Sequence, residues 1–221
     1  MERESWLKKR RKIAVQRYNE IFSPNYDEMW GTISLTHNVM FNRFLEVLPE
    51  GPILDAACGS GKYWPLLLQE GREIIGVDRS AAMLENARHK FPGVKTHLRD
   101  LEEIDFQKDF AGAVCVDALE NMPPELWPRV FSRLFRALIP GGALYFTVEI
   151  LSAAELEKAY LEGKKQGFPL VPGEVISDGG YHFYPQSEQL GRWLENEKWE
   201  KEIEEEGDGY LHIMVRRREG E

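Results

Sequence analysis

The chain has 221 residues, with 37 acidic against 28 basic side chains for a net charge of −9, and is 43% apolar and 29% charged. That balance excludes wholesale disorder and suits one domain with a proper core, while the negative charge disfavours a broad footprint on a nucleic-acid backbone. No apolar run approaches the roughly 20 residues that span a bilayer. The N-terminus lacks the apolar middle of a secretory signal, and the two cysteines, Cys58 and Cys115, read as reduced, so a cytoplasmic protein is expected.

Residues 1–22 read as an amphipathic helix with Leu7, Ala14, Tyr18 and Ile21 on its apolar side, broken at Ser23–Pro24–Asn25. The basic run Lys8–Lys12 on that helix is either the wet face or a contact for an acidic partner. A second helix is expected over 33–48, and the first strand over 52–56. That strand runs into Ala57–Cys58–Gly59–Ser60–Gly61 and then a helix over 64–70 that stops at Gly71. Strand, glycine bend and helix in that order leave backbone N–H groups facing a crevice, because glycine admits a ligand that a Cβ would block.

Further strands are expected over 73–78, 94–99, 111–116 and 143–148. They alternate with a helix over 81–90 capped by Ser80, and with another opened by Pro123–Pro124–Glu125. Strands alternating with helices give an α/β fold, a doubly wound, Rossmann-like sheet, mostly parallel and covered on both faces. After residue 150 the rhythm changes. Ser152-x-x-Glu155 is a capping box for a helix to about 166, residues 168–180 read as a loop, and a helix covers 186–197. Two final strands meet at Gly207–Asp208–Gly209, a turn short enough to make them antiparallel. The expected whole is one domain, 1–221, with a seven-stranded sheet whose last strand is antiparallel. Within it a helical cap (1–31) and a cofactor-binding core (32–150) precede a substrate lid (151–185) and a C-terminal part (186–221).

An acidic residue falls at or near the carboxyl end of four strands: Asp55, Asp78, Asp100 and Asp117. Ligands of open parallel sheets bind at that edge. Four carboxylates there repel a phosphate-rich ligand and suit one with hydroxyls, an exocyclic amine and a positive centre.

Four segments in order are Ile53–Gly61, Gly76–Leu84, Arg99–Leu101 and Leu138–Gly142. Over residues 37–150 they resemble the successive motifs of class I S-adenosylmethionine-dependent methyltransferases. Ala57 departs from the pattern, standing where many members carry the first glycine of the loop. The resemblance implies S-adenosyl-L-methionine as cofactor and S-adenosyl-L-homocysteine as product. By that resemblance Asp78 would hold the ribose hydroxyls, and Asp100 with the Leu101 N–H would hold the adenine. Gly59 and the Ala57 carbonyl would lie along the methionine portion within the bend that Gly61 completes, and Asp55 would support the loop or the ammonium. Asp117 would sit near the sulfonium, Arg79 and Met83 would flank adenine and ribose, and Tyr26 and Trp30 would close over the cofactor.

An activated methyl needs an aligned acceptor, and a hydroxyl or ammonium acceptor needs a base as well. His182, His37 and Glu149 are the candidate catalytic residues, with Glu120 behind them. Asn121–Met122–Pro123–Pro124 lacks the aromatic that amino-methylating nucleic-acid enzymes require, and no Asp-Asn pair joins Asp117 to hold magnesium. The expected protein is therefore a metal-independent methyltransferase for a small-molecule acceptor, a monomer or homodimer with no nucleic-acid partner. The alternatives are a protein or RNA methyltransferase and a non-catalytic S-adenosylmethionine-binding protein. An NAD-dependent dehydrogenase is disfavoured by Trp64, which stands where the third glycine of a dinucleotide loop belongs.

Overall fold

A computed structural model describes residues 2–218. Seven strands form one sheet in the order β3-β2-β1-β4-β5-β9-β8. They are β1 (Ile53–Ala56), β2 (Ile74–Asp78), β3 (Lys95–Leu98), β4 (Phe110–Cys115), β5 (Leu138–Glu149), β8 (Trp199–Gly207) and β9 (Tyr210–Arg217). Strands β1 to β5 pair in parallel, and β9 pairs antiparallel with both β5 and β8. The order reverses between β1 and β4, so a crevice opens beyond their carboxyl ends.

The central strands β1 and β4 are buried at every residue, as expected of a sheet covered on both faces. One layer of the core gathers Trp127, Phe131 and Leu134 of α6 (Trp127–Ala137) against Phe146 and Ile213. The other gathers Phe41 and Phe44 of α3 (Leu35–Val47) against Trp64 and Tyr145. The expected caps are present: Ser80 Oγ accepts from the Met83 N–H at the start of α5 (Ala81–Lys90), and Ser152 and Glu155 form a capping box on α7 (Ala153–Lys165). Gly71 takes φ +67° at the end of its helix. Both cysteines are buried and free.

The structure departs from the sequence reading in three places. Helix α1 (Arg3–Arg17) ends short of residue 22, and the chain passes through a π-helical turn, Tyr18–Phe22, a 3₁₀ turn, Ser23–Asn25, and α2 (Tyr26–Trp30). The wider π turn changes the phase of the side chains. Ile21, expected on the apolar side, is 63% exposed, and the anchor of α1 is Trp6. Strand β5 begins at Leu138 and carries Pro140–Gly142 within it. The expected loop over 168–180 contains β6 (Glu174–Ser177), which pairs antiparallel with β7 (Gly180–Phe183) as a separate hairpin. Glu174 makes that hairpin an anchor: fully buried, it accepts from both terminal nitrogens of Arg3, from the Tyr181 hydroxyl and from the Val171 N–H.

Candidate active site

The bend after β1 is built around an indole. Ala57, Gly59 and Gly61 all take positive φ. A Cβ on Gly61 would lie 2.7 Å from the Trp64 ring, and one on Gly76 in β2 would lie 2.6 Å from it. The two glycines thus make room for Trp64, whose Nε1–H donates to Asp55 Oδ2 at 2.8 Å. Burial raises the Asp55 carboxyl to about 7 against the pull of that indole, with the Asp78 charge adding to the rise. Asp55 therefore supports the loop through Trp64.

Above the bend lies an open cavity lined by all four strand-end carboxylates, Asp55, Asp78, Asp100 and Asp117. Asp78 Oδ2 accepts from the Gly59 N–H at 2.9 Å and Oδ1 from the Ser80 N–H at 2.7 Å. Each carboxylate oxygen keeps a further lone pair for a ligand hydroxyl. Burial pushes the Asp78 carboxyl up, opposed by those two backbone donors and by Arg79. Gly59 shapes the floor, since a Cβ there would meet Met83 Cε at 3.2 Å.

Asp100 is divided between two tasks. Its Oδ2 accepts from Arg11 of α1 at 2.6 Å and from Arg79 at 3.5 Å, while its buried Oδ1 has no hydrogen-bond partner. Leu101 lines the wall beside it, with Ala14, Val15 and Tyr18 of the N-terminal segment opposite. Arg79 also donates to the Arg11 carbonyl at 2.5 Å. The N-terminal segment is fixed at the bend as well: the Ser60 hydroxyl donates to Asp27 Oδ1 at 2.6 Å, and Lys90 Nζ reaches Asp27 Oδ2 at 2.7 Å. Tyr26 lines the cavity, whereas Trp30 packs on Tyr26 and Phe22 and is not part of its wall.

At the other end Asp117 takes φ +54° just after β4. Its Oδ2 accepts from the Tyr63 hydroxyl at 3.0 Å and lies 3.7 Å from Lys62 Nζ. Its Oδ1, buried and without a hydrogen bond, faces His37 Nε2 at 3.8 Å, and that nitrogen is also unpartnered. Burial pushes Asp117 up, but His37, Lys62 and Tyr63 together hold it below the usual carboxylate value. His37 Nδ1 is fixed by Ser34 Oγ at 2.9 Å, and its ring stacks on Tyr63.

The other two catalytic candidates lie elsewhere. Glu149, at the end of β5, accepts from the Tyr184 hydroxyl at 2.9 Å. His182 on β7 has a buried Nδ1 without a partner, and burial, with Arg17 nearby, lowers its imidazole pKa. Neither belongs to the cavity wall, whereas His37 reaches it through Asp117. Tyr18, Lys62, Tyr63, Ala118, Asn121 and Met122 also line it and were not singled out as site residues from sequence. Lys62 and Tyr63 follow Gly61 directly, and that adjacency was the available signal. Among the described residues no group of three or more His, Cys, Asp or Glu side chains is placed to hold a metal ion.

A reversing parallel sheet, a glycine bend and four carboxylates around one crevice define a nucleoside-binding protein of Rossmann-like architecture. Residues 53–142 match the family described as a methyltransferase domain. In this stretch and in its sheet order the chain is similar to the class I S-adenosylmethionine-dependent methyltransferases, as the relatives below also are.

A malonyl-[acyl-carrier protein] O-methyltransferase from Pectobacterium atrosepticum is 31% identical over 127 residues, 56% of this chain and 50% of that one. A trans-aconitate 2-methyltransferase from an Acidovorax species is 36% identical over 98 residues, 42% and 36% of the two chains. The matched stretch thus spans about half or less of these relatives' length. In fold, the 1,6-didemethyltoxoflavin-N1-methyltransferase of Burkholderia thailandensis superposes with a TM-score of 0.68 at 15% identity, covering 99% of this chain and 92% of that one. A methyltransferase from Methanosarcina mazei gives 0.67 at 21% identity, over 79% and 96%.

Proposed function

We propose that this protein binds S-adenosylmethionine in the four-carboxylate cavity and methylates a small-molecule acceptor without a metal. The observation that carries the reading is the cavity's donor and acceptor pattern. Asp78 is held by two backbone N–H groups with lone pairs to spare, and Asp100 keeps one buried oxygen unpartnered. Those groups fit the ribose hydroxyls and the adenine amine, and Gly59 leaves the floor low enough for the methionine portion. When bound, the cofactor would supply a methyl on positive sulfur, activated for transfer to an acceptor's lone pair.

The chain's own residues then bind, orient and move a proton. Asp117, ionised and anchored by Tyr63, presents negative charge to the end of the cavity where positive charge is carried. His37, oriented by Ser34, presents Nε2 toward Asp117 Oδ1 and is the base this arrangement supports. Tyr18, Tyr26 and the N-terminal segment cover the cavity and exclude water. The small-molecule class is supported by relatives named for trans-aconitate and for 1,6-didemethyltoxoflavin. It is supported too by the inward engagement of the basic run, since Arg11 binds Asp100 and Glu102, and Arg10 packs on Trp6 and Phe168.

Calorimetry with S-adenosylmethionine, S-adenosylhomocysteine and NAD on the wild type and Asp78→Ala tests the assignment. Loss of charge-assisted bonds to two hydroxyls should weaken the first two ligands at least about tenfold. Unchanged affinity in the variant, or preference for NAD, refutes it.

A further inference from the structure

The glycine bend spends its own backbone donors within the protein. The Ala57 and Cys58 N–H groups both reach the Val77 carbonyl, that of Gly61 reaches the Cys58 carbonyl, and that of Gly59 reaches Asp78. A ligand that carries a carboxylate cannot use these donors. It also meets the strand-end carboxylates Asp55, Asp78, Asp100 and Asp117 on the wall, so it needs a side-chain cation to receive it.

Three cations line the cavity: Lys62, Arg79 and Arg99. Arg79 is engaged by Asp100 and by the Arg11 carbonyl, and Arg99 is bonded to Asp105. Lys62 differs. Its Nζ stands 3.7 Å from Asp117 Oδ2, beyond hydrogen-bond reach, and it donates no hydrogen bond among the described residues. Asp117 Oδ2 takes its hydrogen bond from the Tyr63 hydroxyl instead. The Lys62 side chain is only 14% exposed. An ammonium so far withdrawn from water is costly unless it is hydrogen-bonded as well as paired. Its position is fixed, since Lys62 directly follows Gly61, at φ +76°, and its Nζ lies 4.9 Å from the centroid of the Tyr63 ring.

Building on the function proposed above, we infer that Lys62 is the carboxylate-binding residue of this cavity. Its ammonium has three N–H donors and would receive the anion in a charge-assisted bond. Asp117 is close enough to hold that ammonium in place and too far to satisfy it. The anion is either the α-carboxylate of the cofactor's amino-acid end or a carboxylate on the acceptor. The position of Lys62 directly after the bend, where the methionine portion is proposed to lie, favours the first.

Calorimetry on the wild type and Lys62→Gln separates the two sources. S-adenosylhomocysteine is compared with 5′-methylthioadenosine, which shares the nucleoside thioether and lacks the amino-acid end. If the cofactor brings the carboxylate, the variant should bind S-adenosylhomocysteine at least about tenfold more weakly and methylthioadenosine within about twofold of the wild type. If the acceptor brings it, S-adenosylhomocysteine binding should stay unchanged. The S-adenosylhomocysteine-loaded wild type should then prefer propionate to propionamide at least about tenfold, and Lys62→Gln should erase that preference. Equal weakening of both nucleosides shows that Lys62 only offsets Asp117, and overturns the inference. So does the absence of any Lys62-dependent difference within either pair of ligands. Failure of the wild type to bind either nucleoside instead overturns the function on which the inference rests.

Discussion

A carboxyl that keeps one oxygen unsatisfied among like charges holds its proton, and Glu120 is the clearest instance in this molecule. Burial raises it from the ordinary glutamate range to about 8. The folded state therefore binds a proton between roughly pH 4.5 and 8 that the unfolded state has released, so stability falls as pH rises across that window. Asp55, raised to about 7 mainly by burial, acts in the same direction. Thermal melts from pH 5 to 9 should show the wild type losing stability with rising pH and Glu120→Gln losing less; parallel curves would contradict the assignment. Gly76→Ala should cost about 1–3 kcal/mol in urea unfolding, because its Cβ would press on Trp64 and on Cys58 Sγ, and cores resist overpacking. The place of Asp78 in the cavity wall was legible in the sequence from its position at a strand end and its distance from the glycine bend. The special state of Glu120 was not, because only the packing of the hairpin and the preceding turn removes its solvent. Gly61, expected in the cofactor bend, does not line the cavity; what the structure shows it doing is making room for the Trp64 indole.

Between elements, the tie that sequence could not show is Arg3 of α1 with Glu174 of β6. The partners are 171 residues apart, and nothing local marks either. Glu174 is fully buried and accepts four hydrogen bonds, so removing the guanidinium strands its charge. Arg3→Ala should cost about 2–4 kcal/mol, toward the low side for a buried pair because Arg3 is itself 24% exposed. Urea unfolding measures the loss, and Arg3→Lys should restore part of it. The regular α/β alternation was readable because Gly, Pro or Asp flanks the strands, and several helices open on a serine cap or a proline. The β6–β7 hairpin escaped because its strands are four residues each and flanked by the same glycines and prolines that mark a loop. The end of α1 escaped because a π turn leaves no mark in apolar periodicity.

Across the whole molecule, a net charge of −9 coexists with a basic N-terminal helix that turns part of its charge inward. Only the overall sign was legible beforehand. Of the basic run, Arg11 turns inward to Asp100 and Glu102. Lys8, Lys9 and Lys12 stay exposed, so a short stretch of one helix offers several tryptic sites next to a cavity residue. Because Arg11 grips one oxygen of Asp100 and the proposed adenine contact uses the other, the two share a single carboxylate. Linkage then runs both ways, and whatever steadies one grip steadies the other. Digestion with trypsin should accordingly slow at the first seventeen residues when S-adenosylhomocysteine is added, and Arg11→Ala should abolish that protection. The opening stretch of the polypeptide would then work as a built-in reporter of occupancy, its fraying and settling keeping time with each exchange of spent nucleoside for fresh.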